Sequence, residues 1–461
     1  MRRSARLRQE GSRSRGRIAV AVVFAGGVVL LSQAGLAASS PNILLISVDT
    51  LRTDRMSSYG HGRLTSPKID ALLERGVRFT EARTPAPLTA PAMSSVMTSL
   101  YPHEHGCTRN GLRVRPNLVS FSQILERRGY RTAAFVGNWT LKPELSGLGE
   151  YFGDYEALLN KKRWFGLAKR EASAEDLNEH ALAWLEEQLE EVSDKPLFLW
   201  VHYVEPHAPY RLRRGYLKQI GVKAGGTFFS ARKRYDTEIA YVDDQIGRFL
   251  EDVGDRVDLD ETLIVFTADH GESMGEHGYW GHGRHLYDVT LRVPLGFVWP
   301  GRIAPAVLDA PASILDVGPT VLALAGLPVP GHFRGYDWGP VLNHGEDPPE
   351  GRVTWHQAHR ASVQPKEEIE QLRQRGLLEL GRVVAGRKEV IRVTNQRRRV
   401  FVLAKDPKEK VNLAKTGSEV SDELTGWISE VRAGLASADE LPPPSLTDED
   451  LAALKALGYI D

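Results

Sequence analysis

Two apolar runs end in residues that suit a divalent cation. ILLISV (43–48) is followed by Asp49-Thr50, and TLIVFTA (262–268) by Asp269-His270-Gly271. Carboxylate oxygens and a neutral imidazole together ligate zinc, manganese and related ions. A third run, LFLWVHYV, leads into Glu205-Pro206-His207. Each site alone reads as a turn or cap residue. Two carboxylates and a histidine at one edge of a sheet read as ligands.

A hydroxyl lies near a predicted helix start in PAPLTAPAMSSVMTSL (85–100). Thr89 falls just before a helix predicted to start near Pro91, where free backbone N–H groups favour an anion. A plain threonine N-cap is the alternative. Ser94, Ser95 and Thr98 compete as hydroxyls, but they fall inside the helix. The loop DHGESMGEHGYWGHGRH (269–285) adds four of the 14 histidines and five glycines. A polar loop leaving a buried strand is a candidate site; within it His277 and His285 read as solvated.

The elements that must position these residues alternate. Strands are predicted at 43–48, over VRFTEA (77–82), at 131–136, 196–204 and 262–268. Helices are predicted from Ser66-Pro67 to Gly76, over 118–128, over 174–192 with Ser173 as cap, and over 236–253. Continuous apolar strands separated by helices imply parallel pairing with both sheet faces covered. Ligands then bind beyond the carboxyl ends of the strands. After about Pro340 short alternating runs, EVIRVTN and RRVFVLA, predict a small antiparallel sheet. A helix follows near 418–436, then Pro442-Pro443-Pro444 and an amphipathic tail.

The 461 residues allow about three domains, or one large domain with a small appendage. Hydrophobic residues make up 42% and charged residues 26%, which excludes disordered, collagen-like and multi-span membrane chains. Lys+Arg and Asp+Glu both total 59, so no basic excess points to nucleic acid. The single Cys107 excludes an intrachain disulfide. Seven arginines and one Glu precede an apolar run, Ile18 to Leu31, and small residues follow it through Ser39. That is the pattern of a secretory signal, with an uncleaved anchor as the alternative. Cleavage near Ala37 or Ala38 would leave a chain of net charge about −6. The expected location is periplasmic or extracellular, or membrane-anchored through this segment.

PNILLISVDTLRTDRMSSYG, TSPKIDALLERGVRFTEA, TAPAMSSVMTSLYPHEHG and TADHGE…GEHG…LYDVTLRVPL, in that order over about residues 41–340, resemble the sulfatase branch of the alkaline phosphatase superfamily. VFVLAKDPKEKVNLA resembles the family's closing segment. The resemblance implies an α/β fold, a large, mostly parallel sheet flanked by helices, with a small C-terminal subdomain of antiparallel sheet plus helix. The expected divisions are 1–38 signal peptide or short membrane anchor, 41–340 catalytic domain, 341–440 C-terminal subdomain and 441–461 tail.

By the same resemblance Asp49, Asp269 and His270 match metal ligands, Thr89 the nucleophile and metal-bound oxygen, and His207 a substrate or leaving-group contact. His282 falls where relatives often place a Lys. The implied cofactor is a divalent metal ion (Ca, Mn, Zn or Mg) at one site, with a second site left open. Sulfatases proper oxidise a Cys or Ser in a Cys/Ser-x-Pro-x-Arg motif to formylglycine. Here the segment is Thr89-Ala90-Pro91-Ala92-Met93. Thr50 stands where many have a second Asp, and Asn138 and Thr140 where many have Lys and His. This pattern looks more like the phosphodiesterase and phosphonate hydrolase relatives. The expected activity is hydrolysis of a phosphate or sulfate ester through a covalent Thr89 intermediate, leaning to phosphate mono- or diesters. The alternatives are a sulfatase without formylglycine, a phospho-headgroup transferase and a silent binding protein. The expected partner is a small anionic ester, lipid- or glycan-linked; no protein partner is readable. The basic stretch 211–234 reads either as a lid over an anionic substrate or as a solvated loop.

Overall fold

The computed structural model describes residues 40–160, 170–190, 195–223, 229–360, 376–417 and 419–436. The N-terminal segment, the whole Pro442-led tail and parts of the 211–234 and 341–440 stretches lie outside them.

Apolar β-branched runs form the centre of an eight-stranded sheet. In chain order its strands are β1 (Asn42–Val48), β2 (Val77–Arg83), β3 (Arg131–Val136), β4 (Asp154–Ala157), β5 (Leu197–Tyr203), β6 (Thr262–Ala268), β7 (Leu295–Val298) and β8 (Ala306–Ser313). They lie side by side as β8-β2-β7-β6-β1-β5-β3-β4. Only β7 runs against the others, between β2 and β6. The central strands β1, β5 and β6 are buried along nearly their whole length. This fits their lack of polar alternation, because helices cover both faces.

The helices follow the predicted order with shifted ends. α1 is Pro67–Leu73, α2 Thr89–Thr98, α3 Phe121–Arg127, α4 Ala174–Glu190 and α5 Ala231–Gly254. α3 begins at a capping box of Ser120 and Gln123. α5 starts five residues before the expected 236, because the Ser230 side chain accepts from Lys233 N and caps a polar first turn. All ten residues of α2 are buried.

The expected C-terminal antiparallel sheet has four strands in order β9 (Val353–His359), β10 (Leu377–Val384), β11 (Arg387–Arg392) and β12 (Arg397–Val402). A helix, α6 (Asp422–Ala436), packs on it through Leu424, Trp427, Ile428 and Val431. Lys388, fully buried on β11, joins this sheet to the catalytic part. Its Nζ lies 2.8 Å from Asp288 Oδ1 and 2.8 Å from Glu409 Oε1. Asp288 in turn holds the buried Arg83 at 2.8 Å.

Four buried histidines also lie where the two parts meet. His356 Nδ1 is 2.8 Å from Thr84 O, His359 and His103 both bond Gln357, and His105 bonds Ser95. Burial lowers all four, His103 to about 4 and His105, His356 and His359 to about 3. A histidine depressed on folding is neutral in the folded chain and protonates first in the unfolded one. The stability it preserves is complete above the ordinary pKa of about 6.5 and is lost as pH falls toward 3–4. Each is expected to cost about 2 kcal/mol by pH 5 relative to pH 7. A melting temperature that falls steeply from pH 6.5 to 4.5, and less steeply in His359→Gln, is the expected result. A flat profile would contradict it.

Candidate active site

The carboxyl ends of β1, β5 and β6 are neighbours in the sheet, and the site is built on them. β1 delivers Asp49, whose N–H still bonds Tyr203 O across the sheet at 2.8 Å. The next residue, Thr50, adopts φ +55°, a costly conformation for a β-branched residue. The turn aims Thr50 N–H at Asp269 Oδ1, 3.0 Å away. Tyr235 on α5 holds the turn in place: its hydroxyl donates to Thr50 O (2.6 Å) and accepts from Arg52 N (3.0 Å). β6 delivers Asp269 and His270. Gly271 follows because a Cβ there would sit 2.2 Å from Val289 O.

Asp49, Asp269 and His270 are completely buried, and one ligand atom from each lies within 4.8 Å of the others. Each carboxylate has one oxygen held and one without a partner. Asp269 Oδ1 accepts from Thr50 N and from His270 N (2.7 Å), while its Oδ2 has no hydrogen bond. Asp49 Oδ2 accepts from Asn138 Nδ2, while its Oδ1 has none. His270 Nδ1 lies 2.8 Å from Gly271 O and donates to it, which leaves the Nε2 lone pair facing Asp269 Oδ2 at 3.3 Å. Buried polar atoms without partners are costly. Two carboxylate oxygens and an imidazole lone pair converging in this way fit a divalent cation.

The electrostatics agree. Burial works to raise the Asp49 pKa, but neighbouring histidines, His207 first among them, outweigh it and hold this carboxyl below its usual range. Asp269 is pushed well above its usual value by burial and by the Asp49 charge. Two facing carboxylates cannot both ionise in a dry site without a cation between them. Burial and His282 push His270 well below its usual value, so it is a neutral ligand-type imidazole.

Thr89 is the first residue of α2, with Leu88 as the capping residue, rather than lying ahead of a helix begun at Pro91. It is not an N-cap. Its Oγ1 lies 3.3 Å from His270 Nε2. Two donors of this helix end are engaged within the protein. Ala90 N donates to Asn110 Oδ1 (3.0 Å), Ala92 N donates to Leu88 O (2.9 Å), and Pro91 has no N–H. Asn110 Nδ2 is left buried without a partner beside Thr89. Ser95 and Thr98 turn to His105 and to Ser94 O, away from this role.

His207 and His282 close the site. His282 lies with its ring centre 4.4 Å from that of His270 and 5.4 Å from that of His207. His282 Nδ1 is 3.2 Å from Glu272 Oε1, and His207 Nδ1 is 2.7 Å from Ala208 O. All six residues singled out in the sequence therefore meet in one place. One expectation about a neighbour is corrected: His285 is not simply solvated, since its Nδ1 bonds Glu379 of β10 at 3.0 Å. His277 is exposed, as expected, and stacks on Tyr287 with ring centres 3.6 Å apart. In the 211–234 stretch, Arg213 bridges Glu205 (2.9 Å) and Glu238 (2.8 Å), and Arg232 binds Met274 O. Those two guanidinium groups are thus engaged with the protein. Glu205, buried beside Arg213, is raised to about 7, burial being the main cause.

Sequence reasoning missed His202, Ser47, Glu272 and Asn110. His202 and Ser47 lie inside apolar strands, and only the pairing of β1 with β5 brings them together.

The sulfatase family model matches residues 41–327, which is more than half of the chain. The chain belongs to the sulfatase family. It is therefore a hydrolase of that family. A choline-sulfatase from Rhizobium meliloti is 28% identical over 351 residues, covering 62% of this chain and 68% of that one. Two solved structures share the fold. One, in complex with its substrate D-glucosamine-2-N,6-O-disulfate, superposes with a TM-score of 0.65 at 19% identity, covering 88% of this chain and all of the other. The phosphonate monoester hydrolase of Agrobacterium radiobacter gives 0.62 at 22% identity, covering 89% and 98%. The eight-stranded mixed sheet and the small four-stranded sheet match the fold of those structures.

Proposed function

We propose that this family member is a metal-dependent ester hydrolase that uses Thr89 as its nucleophile and favours phosphate mono- or diesters over sulfate esters. The observation that carries the proposal is Thr89 itself, at the nucleophile position and hydrogen-bonded to His270 Nε2. Asp49, Asp269 and His270 would hold the cation through their inward atoms. A bound divalent ion supplies Lewis acidity, lowering the pKa of the Thr89 hydroxyl and offsetting charge on the transferred group.

The chain's own groups do the rest. Thr89 Oγ gives up its proton to solvent and attacks phosphorus or sulfur in line, and the bond to the leaving oxygen breaks as the Thr89 ester forms. His282 or His207 gives that oxygen its proton, an effect typically worth roughly 10²–10⁴-fold. Glu272, at Nδ1 of His282, fixes which ring nitrogen faces the leaving group. Water then attacks the same central atom and passes a proton to the histidine that protonated the leaving oxygen, while the bond to Thr89 Oγ breaks and Thr89 takes back a proton from solvent. A formylglycine hydrate can expel sulfate by elimination. An ester of Thr89 has no such route, and attack at the central atom is familiar for phosphoryl groups. Sulfate hydrolysis is the second reading, favoured by the 28% identity to a choline-sulfatase. The substrate is proposed to be a small anionic ester, lipid- or glycan-linked. Export to the periplasm or beyond is proposed from the basic-then-apolar N-terminus.

The test is a panel of nitrophenyl sulfate, phosphate, phosphodiester and phosphonate with residues 41–461 loaded with Mn²⁺ or Zn²⁺. Preference for a phosphorus ester is expected. Preference for sulfate would overturn the phosphate leaning while leaving Thr89 in place.

A further inference from the structure

One buried polar chain lies behind the site and is not used by the mechanism above. Trp200, His202 and Ser47 are all fully buried. Ser47 on β1 and His202 on β5 are direct partners in the parallel register, and Trp200 lies two residues back on the same face of β5. Trp200 Nε1 donates to Ser47 Oγ at 2.8 Å, and Ser47 Oγ lies 2.8 Å from His202 Nδ1. The indole can only donate, so Ser47 Oγ accepts there and its single hydrogen is available for His202 Nδ1. With the Asp49 carboxylate on the other side of the ring, the arrangement that uses every hydrogen makes Nδ1 the acceptor and puts the ring's hydrogen on Nε2. Nε2 has no hydrogen-bond partner and faces Asp49 Oδ2 at 3.9 Å.

Given the cation role proposed for Asp49, we infer that the Trp200–Ser47–His202 chain is a positioning device for this carboxylate. It keeps an N–H dipole, rather than a lone pair, turned toward Asp49 Oδ2. Together with Asn138 it draws the negative charge to that oxygen and leaves Oδ1 as the one presented to the cation. The opposite tautomer would set a lone pair against an anion in a site without water to screen it. Ser47 and His202 thereby act on the cation site through Asp49 and touch no ligand position themselves. Partners that orient first-contact ligands in this way are typically worth roughly 10–100-fold in metal affinity.

The test uses EDTA-stripped full-length protein titrated calorimetrically with Mn²⁺ and with Ca²⁺, beside the melting temperature of each metal-free form. Ser47→Ala removes one buried oxygen and is expected to weaken the tighter-binding ion about 10–100-fold. His202→Ala is expected to do the same, and His202→Gln, which retains an N–H donor, to recover most of the affinity. A purely structural role would move the metal-free melting temperature and leave the affinity alone. Wild-type affinity in Ser47→Ala and His202→Ala overturns the inference. Should His202→Ala fail to fold, Ser47→Ala decides. Failure of the underlying cation role reads differently: wild type would bind neither ion, or Asp269→Ala would bind as tightly as wild type.

Discussion

Thr89→Ala is expected to lose turnover of every ester by roughly 10⁴-fold or more, while the protein stays folded. Removing a nucleophile from a site that acts as a unit costs on this scale. Thr89 is completely buried in the first turn of α2, and its hydroxyl bonds His270 rather than capping the helix. Its loss therefore leaves the helix backbone intact. A melting temperature within a few degrees of wild type, measured beside the rate, separates chemistry from folding. Ser94→Ala is the matching control, because that hydroxyl lies in the same helix, buried and without a hydrogen-bond partner. It is expected to leave turnover nearly unchanged.

Asp269→Asn is expected to behave in opposite ways with and without metal. In wild type a divalent ion at 100 times its dissociation constant should add about 2.7 kcal/mol of stability. Asp269→Asn should lose most of that gain and its turnover with it. Without metal the variant should be at least as stable as wild type. Burial and the Asp49 charge raise the Asp269 pKa in the fold, so ionising this group at neutral pH opposes folding. For a carboxyl raised on folding, that cost is absent below its unfolded pKa and grows as pH rises above it. Paired thermal melts with EDTA and with Mn²⁺, at pH 7, read both effects. An equal metal-induced rise in wild type and variant would remove Asp269 from the cation site.

The architecture was legible wherever one physical signal acted alone. The apolar runs ILLISV, LFLWVHYV and TLIVFTA could only be strands covered on both faces, and they are β1, β5 and β6. Once these pair in parallel, Asp49, Glu205, His207, Asp269 and His270 must collect at one edge. The motif order over residues 41–340 in turn pointed to Thr89 and His282. What was not legible depended on two signals meeting. His202 reads as part of a hydrophobic strand until the register places it opposite Ser47. Asn138 reads as a missing lysine until the fold shows it donating to Asp49. At the start of α2 the Ala90 N–H reads as free until the fold brings in Asn110, 20 residues on, to accept it. His285 reads as solvated because its partner Glu379 lies 94 residues on, in a different sheet. Outside the apolar strand that hides His202, the local pattern was right about polarity and silent about the partner.

The most direct measurement is a rapid quench of the metal-loaded enzyme with its best panel ester, followed by peptide mapping by mass spectrometry. The account predicts a phosphoryl or sulfuryl group on the Thr89 peptide during turnover and its absence in Thr89→Ala. Unmodified Thr89 throughout turnover, together with a Thr89→Ala variant that keeps its rate, would contradict it.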